Sequence, residues 1–336
     1  MSSYGRFFRR NIFRVLLLAI GLNAVFAALS LAQATRSPFF LLHPIFSSID
    51  PAHAALSIPT ESRGHSGLLQ RFRTLAPDKA NESIAIYFME LNSGTWVGLN
   101  ESVRMPPGSL RKIPLLAATF KLLELDQLRL TDSLEIRRHH LDLTLGIENA
   151  VGPLAAGGPG QEHSIRELVD YITRHSDNTA TMALSERVGY EAYAEALFSM
   201  GLSLQTWENN FLSGRMTDYP VSPREFAQAF RTLYFSSYLK PEHSQELLAL
   251  LSDTVFLDGI PAGVPPEIIT SHKIGDWRQG DHHNDCGIVY YPAHPYLLCV
   301  MTGGMEKSQA YRLIADISRE SFAYINEEFR LLAPEH

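Results

Sequence analysis

Apolar segments with strand character lie towards both ends of the chain. The first, from Ser83 to Met89, is followed by an Asn92-Ser93-Gly94 turn and by Thr95 to Leu99, a pattern typical of a β-hairpin. Strand character returns in three later segments, Ser271 to Ile274, Asp285 to Tyr291 and Tyr296 to Thr302. Because the hairpin and the later strands are far apart in sequence, we expect one sheet assembled from distant parts of the chain.

Helical spacing of apolar residues dominates between these strands. Helices are predicted at Ile113 to Leu125, Ile165 to Arg174, Thr179 to Val188, Tyr190 to Met200 and Pro223 to Tyr234. Amphipathic helices are also expected before the first strand, from Ser66 to Leu75, and after the last, from Ser308 to Phe329. The pattern predicts an α/β fold of the α+β type, with a sheet subdomain at about 66–112 and 260–336 and an inserted all-α subdomain at about 113–259.

The first 34 residues have the features of a targeting segment. Four arginines, the last of them Arg14, precede an apolar run from Val15 to Ala32, and Ala32-Gln33-Ala34 is a pattern that signal peptidase cleaves. The run is long for a signal peptide and short for a membrane span, so cleavage and an uncleaved N-terminal membrane anchor remain alternatives. Residues 35–65, rich in Pro, Ser, His and Ala, are predicted to be a linker. We expect an exported protein in the periplasm or another extracytoplasmic compartment.

The composition limits the classes of function. The 336 residues allow two domains, or one large domain behind a short N-terminal segment. With 29 Lys+Arg against 36 Asp+Glu the formal net charge is -7, and no long basic run follows the first fourteen residues, which argues against a nucleic-acid partner. The two cysteines, Cys286 and Cys299, lie in apolar segments expected to be neighbouring strands. We predict buried free thiols, with a disulfide as the alternative in an oxidising compartment.

A serine and a lysine three residues apart, Ser109 and Lys112, follow the predicted hairpin at the start of a helix. Residues at this spacing share one helix face, so the lysine amine, or a base relayed through it, can take the serine proton. The helix N-terminus also stabilises negative charge at the serine. The spacing alone is a weak signal, because about half a match is expected by chance in a chain with six lysines, and a second match occurs at Ser237 to Lys240.

Two further motifs strengthen the first. Ser176-Asp177-Asn178 lies between two predicted helices, and only about 0.04 such tripeptides are expected by chance. A helix N-cap is the purely structural alternative, because Ser and Asp both cap helices well. Lys273-Ile274-Gly275 lies on a predicted strand, where a lone lysine more often protects a sheet edge.

In chain order, these three elements resemble the S-x-x-K, S-D-N and K-T-G motifs of class A β-lactamases and penicillin-binding proteins. The chain is similar to the class A β-lactamase-like serine hydrolases over roughly Ser66 to Phe329, with supporting local sequence at 92–95, 164–168 and 260–263. The resemblance implies a three-layer sandwich with an antiparallel sheet. It also implies hydrolysis of a β-lactam or a related peptidoglycan-derived amide, without a metal ion or other cofactor.

The resemblance implies four catalytic residues. Ser109 is the acylated nucleophile, Lys112 is its base or proton relay, and Ser176 delivers the proton to the leaving nitrogen. Release of the acyl group needs a further base that activates water. Glu208, 30 residues past Asn178, is the candidate, with a solvated loop carboxylate as the alternative interpretation.

The resemblance also implies a set of substrate-binding residues. Asn178 binds the substrate amide and Lys112, and Lys273 holds the Ser176 hydroxyl and the substrate carboxylate. Gly275 lies on the same strand as Lys273, and the backbone N–H of Trp277 forms the oxyanion hole together with that of Ser109.

The chain departs from the family pattern at several of its substrate-binding and loop positions. Ile274 replaces a hydroxyl residue, Leu212 stands where a second water-holding amide is common, and the usual loop arginine before Trp207 is missing. Asp285 lies where some relatives have a carboxylate-binding arginine, and Arg278 is a substitute from the adjacent loop. Each loss weakens anion binding or loop order by about 1 to 3 kcal/mol. The acylation machinery is therefore better supported than the substrate.

Histidine-rich segments carry a weaker signal. Asp281, His282, His283 and Asp285 invite a metal-site interpretation, but adjacent histidines point apart on a strand, and His139-His140 has still less support. We favour a loop beside the site for the first cluster.

Three alternatives to a β-lactamase remain from the sequence. Within enzymes, the same machinery serves a penicillin-binding D-alanyl peptidase or an esterase acting on cell-wall material. Outside enzymes, the chain is a non-catalytic peptidoglycan-binding relative. The presence of Ser109, Lys112, Ser176, Asn178 and Lys273 together favours an enzyme.

Overall fold

The computed structural model describes residues 65–76, 83–145, 152–202, 220–277 and 280–330. These residues contain seven strands: β1 (Ile84–Glu90), β2 (Trp96–Leu99), β3 (Ser133–Glu135), β4 (Glu162–Ser164), β5 (Thr270–Trp277), β6 (His282–Val289) and β7 (Tyr296–Thr302). Five of them form an antiparallel sheet in the order β2-β1-β7-β6-β5. The hairpin near one end of the chain therefore pairs with the strands near the other, as the sequence predicts.

The same residues contain eight α-helices: α1 (Ser66–Leu75), α2 (Lys112–Glu124), α3 (Arg138–Leu145), α4 (Ile165–His175), α5 (Asn178–Ser199), α6 (Pro223–Tyr234), α7 (Pro241–Ser252) and α8 (Lys307–Arg330). Helices α1 and α8 pack on each other over one face of the sheet. The buried side chains of Phe72, Phe88, Tyr296 and Ile314 belong to the core there. Helices α6 and α7 pack on the sheet as well, α6 along β1, β6 and β7 and α7 along β5. The result is the predicted mixed α/β fold with a helical insert.

The insert differs from the prediction in three ways. The two helices expected on either side of Gly189 are joined end to end in α5. The helix has a kink at Gly189, where φ is 80° and ψ is 168°. Helices α3 and α7 were not predicted, although Pro241 at the first turn and the buried Leu247 and Leu251 are typical of an amphipathic helix. Strands β3 and β4 form a two-stranded ribbon, so the insert is not all-α.

The prediction of free thiols is wrong. Cys286 on β6 and Cys299 on β7 lie directly opposite each other in the antiparallel register and form a disulfide, with 4.0 Å between their Cα atoms. Opposite residues of an antiparallel pair project to the same face of the sheet, which brings the two sulfur atoms together. Both side chains are fully buried.

The predicted export segment, 1–34, and the linker up to residue 64 lie outside the described residues. Within the described ranges, which begin at residue 65, no helix is both long and apolar enough to cross a membrane.

Candidate active site

A close contact between β5 and the turn before α2 brings the first and third motifs together. A Cβ atom at Gly275 would lie 2.1 Å from the carbonyl oxygen of Pro107 in that turn. From the other side, Gly108 has φ 56°, and a Cβ there would lie 2.5 Å from the carbonyl oxygen of Asp276. Glycine is required at both positions because only glycine lets the two backbones approach so closely.

Asn284 holds the same turn from β6. Its Nδ2 donates to the carbonyl oxygen of Pro106 at 3.0 Å, and its Oδ1 accepts from the backbone N–H of Thr302 at 3.3 Å. The side chain is fully buried. Sequence interpretation missed Asn284 because the predicted strand began one residue later, at Asp285, which left this amide in a loop.

Ser109 lies in a 3-10 turn, Gly108–Arg111, rather than on the α-helix that the sequence predicted. Lys112 is the first residue of α2, so the serine and the lysine stay about one turn apart. Ser109 is half-buried. Within the described ranges its hydroxyl makes no hydrogen bond, so the direct contact between Ser109 and Lys112 is not formed in this structure. Such contacts often tighten only when substrate binds.

The second motif connects α4 to α5. Ser176 follows the last residue of α4 in the left-handed conformation, at φ 53°. Asp177 is the N-cap of α5, because its carboxylate accepts from the backbone N–H of Ala180 at 2.9 Å. The same carboxylate also accepts from the backbone N–H of Leu154, outside this helix, at 2.9 Å. The helix-capping alternative for this motif therefore applies to Asp177 alone. The side chains of Ser176 and Asn178 contact lysines of the other two motifs instead.

Two buried lysines meet at the Ser176 hydroxyl. Lys112 Nζ lies 3.1 Å from Ser176 Oγ, and it also donates to the Ser176 carbonyl oxygen at 2.5 Å and to Asn178 Oδ1 at 2.8 Å. Lys273 Nζ donates to the same Ser176 Oγ at 2.8 Å. Lys112 is 1% exposed and Lys273 is 2% exposed. The structure therefore brings together four predicted site residues from three distant segments of the chain.

Burial shifts the pKa values of both lysines downwards. Removal from water lowers the pKa of Lys112 well below its ordinary value, the positive charges of Lys273 and Arg111 lower it further, and Asp177 opposes them. Burial also lowers the pKa of Lys273 to about 7, against the opposing charges of Asp285 and Asp276. The pair therefore offers a neutral amine near neutral pH, which an ordinary lysine does not.

The acylation rate with a carboxylate-bearing penicillin is expected to fall as the pH rises from about 7 to about 9. Lys273 is charged below its folded-state pKa of about 7 and loses that charge above it, which removes the cation that would bind the carboxylate. Stopped-flow measurement of the acylation rate at closely spaced pH values would show this decrease on the alkaline side. A Lys273→Met variant serves as the control, because its alkaline limb should be absent. A wild-type rate that stays level from pH 6 to pH 9 would contradict the assignment.

The remaining predicted residues divide into described and undescribed ones. Trp277 is the last residue of β5, two residues beyond Gly275. Ile274 is 5% exposed and belongs to the sheet core. Asp285 accepts from the His272 ring at 2.8 Å and from the backbone N–H of Ile260, both within the protein interior. Three further positions lie outside the described residues: Glu208, Leu212 and Arg278.

Three members of the histidine cluster near the site, His282, His283 and Asp285, lie in strand β6 and not in a loop, whereas Asp281 lies in the turn before it. His283 Nδ1 lies 2.8 Å from Asp276 Oδ1, whereas His282 Nδ1 lies 3.1 Å from the carbonyl oxygen of Thr302. These adjacent histidines have different partners, as expected for a strand. The Asp285 carboxylate accepts from the ring of His272 and not from either of these two histidines.

A second histidine cluster joins α3 to α5. His139 Nε2 and His140 Nε2 lie 2.7 and 2.9 Å from Glu186 Oε2. Arg137 donates to the other oxygen of Glu186, and its backbone N–H donates to His140 Nδ1 at 3.0 Å. That bond places the proton of neutral His140 on Nε2, so this nitrogen donates to the carboxylate instead of offering a lone pair to a cation. We interpret the cluster as a clamp between the two helices.

The architecture is that of a known structural class. The chain has the same fold as PBP-A, with a TM-score of 0.69 and 25% sequence identity over 80% of this chain and 98% of that one. A β-lactamase from Chitinophaga pinensis DSM 2588 is similar at a TM-score of 0.66 and 22% identity, covering 78% of this chain and all of the other.

The sequence assigns the family. The model of the β-lactamase enzyme family matches residues 68–325, and the chain belongs to this family. A β-lactamase from Amycolatopsis lactamdurans is 32% identical over 168 residues, or 46% of this chain. The match spans 55% of that curated relative's length.

Proposed function

We propose that this protein is a serine hydrolase that forms an acyl-enzyme at Ser109 and acts on a β-lactam or a related amide. One observation carries the proposal: the Ser176 hydroxyl lies between two buried lysine amines, at 3.1 Å from Lys112 and 2.8 Å from Lys273. Burying two lysines side by side costs free energy, which a purely structural site would avoid with apolar residues of similar size. Amines with lowered pKa values are suited to proton transfer at neutral pH.

The arrangement supports a proton path for acylation. Ser109 Oγ attacks the carbonyl carbon while neutral Lys112 takes its proton. The bond from the carbonyl carbon to nitrogen then breaks, and the nitrogen receives a proton from Ser176, which regains one from Lys112 across 3.1 Å. Because a hydroxyl accepts two hydrogen bonds and donates one, Ser176 can accept from both lysines and still donate into the cleft.

Substrate binding in this proposal uses the residues around that hydroxyl. Asn178 would hold the substrate amide, and Lys273 would attract a negatively charged group. The backbone N–H groups of Ser109 and Asp276 would stabilise the oxyanion, which is usually worth about 10² to 10³ in rate per donor. Trp277, the candidate from the sequence, lies opposite His282 in a hydrogen-bonded pair, so its N–H is directed to β6, whereas the Asp276 backbone faces the turn that carries Ser109. The contact of Gly275 with the turn at Pro107 supports this assignment, because it fixes β5 against the segment that carries Ser109.

Hydrolysis of the acyl-enzyme is assigned to Glu208, which remains a prediction from the sequence. If Glu208 does not activate water, the protein would instead be a slow penicillin-binding D-alanyl peptidase. A solved variant of PBP-A, 24% identical to this chain, is an acyl-enzyme complex with penicillin G. That ligand is therefore a suitable first probe.

The test is incubation with fluorescent penicillin and with nitrocefin, followed by intact mass measurement. We expect an adduct or turnover in the wild type and neither in Ser109→Ala. Turnover that Glu208→Gln converts into a stable adduct would identify a β-lactamase, and a stable wild-type adduct would identify a penicillin-binding role. A wild type that gives neither signal would contradict lactam chemistry and favour an ester substrate or the non-catalytic alternative.

We also propose that the protein is exported. The basic and apolar pattern of residues 1–34 supports this location, as does the disulfide between Cys286 and Cys299, since disulfides persist in oxidising compartments. The N-terminal segment would be cleaved or would hold the protein at the membrane. The mass of the protein recovered from the soluble and membrane fractions distinguishes the two.

A further inference from the structure

The loop between α7 and β5 brings an aromatic ring to the Lys273 ammonium group. The centroid of the Phe256 ring lies 5.8 Å from Lys273 Nζ, within the range of a cation–π contact. Phe256 is half-buried and also packs against the sheet core. Its ring therefore lies beside the ammonium group that the proposed function assigns to a negatively charged part of the substrate.

This loop is fixed to the site at both of its ends. The carbonyl oxygen of Arg174, two residues before Ser176, accepts from the backbone N–H of Val255 at 3.2 Å and from Thr254 Oγ1 at 3.3 Å. At the other end, the backbone N–H of Ile260 donates to Asp285 on β6 at 2.8 Å. The position of Phe256 relative to the second and third motifs is therefore set by hydrogen bonds.

The surroundings of the ring are unusually apolar for an anion-binding site. Val255 and Leu257, on either side of Phe256, are 51% and 59% exposed. Ile274 follows Lys273 and supplies no hydroxyl group. An anion bound here would lose part of its hydration, because the side chains around it are apolar. The Lys273 ammonium would compensate for that loss, but Ile274 offers no side-chain donor to add a second hydrogen bond.

The charged groups around Lys273 do not change this picture. Lys112 faces it across the Ser176 hydroxyl, and Asp276 on β5 and Asp285 on β6 favour its charged form. Burial outweighs these two carboxylates and lowers the Lys273 pKa to about 7. The cation at this end of the cleft is thus weakened near neutral pH.

We propose that Phe256 is a specificity-determining residue, which makes the Lys273 end of the cleft favour substrates with a neutral or apolar group beside the scissile amide over substrates with a free carboxylate. The inference rests on the proposed acylation of Ser109. It goes further by naming the chemical class of substrate and the side chain that selects it.

The test compares benzylpenicillin with its methyl ester. The second-order acylation constant is measured by intact mass for the wild type, Phe256→Ala and Phe256→Leu. The wild type should react with the ester at least as fast as with the acid. Phe256→Ala should raise the ratio of acid to ester about tenfold, because a charge-assisted hydrogen bond is worth at least that factor, and Phe256→Leu should lie between them. Phe198→Ala, which removes a 73% exposed ring at the end of α5, is the matched control and should leave the ratio unchanged.

The pH dependence separates selection from a merely structural effect. In the wild type the ratio of acid to ester should fall as the pH rises through about 7, and in Phe256→Ala the fall should move to higher pH, because the ammonium becomes better hydrated. Equal changes for both ligands with an unmoved midpoint would overturn the proposal, as would a strong wild-type preference for the acid that Phe256→Ala leaves unchanged.

A failure of lactam chemistry is distinguishable from a failure of this inference. If neither penicillin acylates the wild type, the same variants are compared with p-nitrophenyl phenylacetate, which is neutral, and p-nitrophenyl hemisuccinate, which carries a carboxylate. A tenfold change in their ratio in Phe256→Ala supports the role of Phe256 although lactams are not substrates. Equal rates in all variants, or no adduct at Ser109 with any ligand, contradict it.

Discussion

The Lys112→Met variant is expected to lose about 10² to 10⁴ of the acylation rate, the usual range for a general base. Methionine has nearly the same length, so packing at this 1% exposed position is largely preserved. In the proposed path, this amine accepts the proton of Ser109 and then returns a proton to Ser176. The measurement is the second-order rate constant for acylation by fluorescent penicillin.

The chain offers a matched control for this variant. Lys240 belongs to the second Ser-x-x-Lys match, at Ser237 to Lys240, and it is exposed at the N-terminus of α7. Lys240→Met should leave acylation unchanged. Stability should change little in Lys112→Met, because the relief of burying an amine offsets the loss of donors to Ser176 and Asn178. A Lys112→Met protein that is folded and retains a tenth or more of the wild-type rate would remove Lys112 from the mechanism.

The sheet and the main helices were predictable because their patterns are local. Helices α1 and α6 have the predicted bounds, as does strand β7, since alternating or 3.6-residue apolar patterns are set by burial on one face. The three motifs were predictable because Ser176-Asp177-Asn178 is rare and because all three occur in the order of the family to which the chain belongs, although the Ser-x-x-Lys spacing alone is common. The close approach of Lys112, Ser176 and Lys273 follows from that resemblance and is present in the structure.

The parts that could not be predicted depend on contacts between distant segments. Asn284 contributes to the site only because β6 passes beside the turn at Pro106. Phe256 lies near Lys273 only because its loop is hydrogen-bonded to Arg174. The disulfide is a similar case, since neighbouring strands do not fix the register, and the pairing of Cys286 with Cys299 requires the register itself. A shift of one residue would direct the two sulfur atoms to opposite faces.

Gly275→Ala is expected to lower acylation by about 10² to 10³ and to reduce the free energy of unfolding by about 1 to 3 kcal/mol. The new Cβ would lie 2.1 Å from the Pro107 carbonyl oxygen and 2.9 Å from Leu110 Cγ, and the first of these atoms belongs to the backbone. Strand β5 must therefore move away from the turn, which separates the N–H groups of Asp276 and Ser109 proposed for the oxyanion hole. Acylation kinetics and denaturant unfolding measure the two effects.

Gly67→Ala is the control, because it makes the same glycine-to-alanine substitution at a position outside the site. Its Cβ meets only the edge of the Tyr324 ring, at 3.2 Å, and it lies in α1, away from the motifs. Alanine in a helix should leave acylation unchanged and stability unchanged or slightly higher. The kinetic loss in Gly275→Ala should also exceed what unfolding explains, because a displaced oxyanion hole lowers the rate of protein that remains folded. If Gly275→Ala acylates at the wild-type rate per folded molecule, the close contact of β5 with the turn is a packing feature only, and the oxyanion hole lies elsewhere.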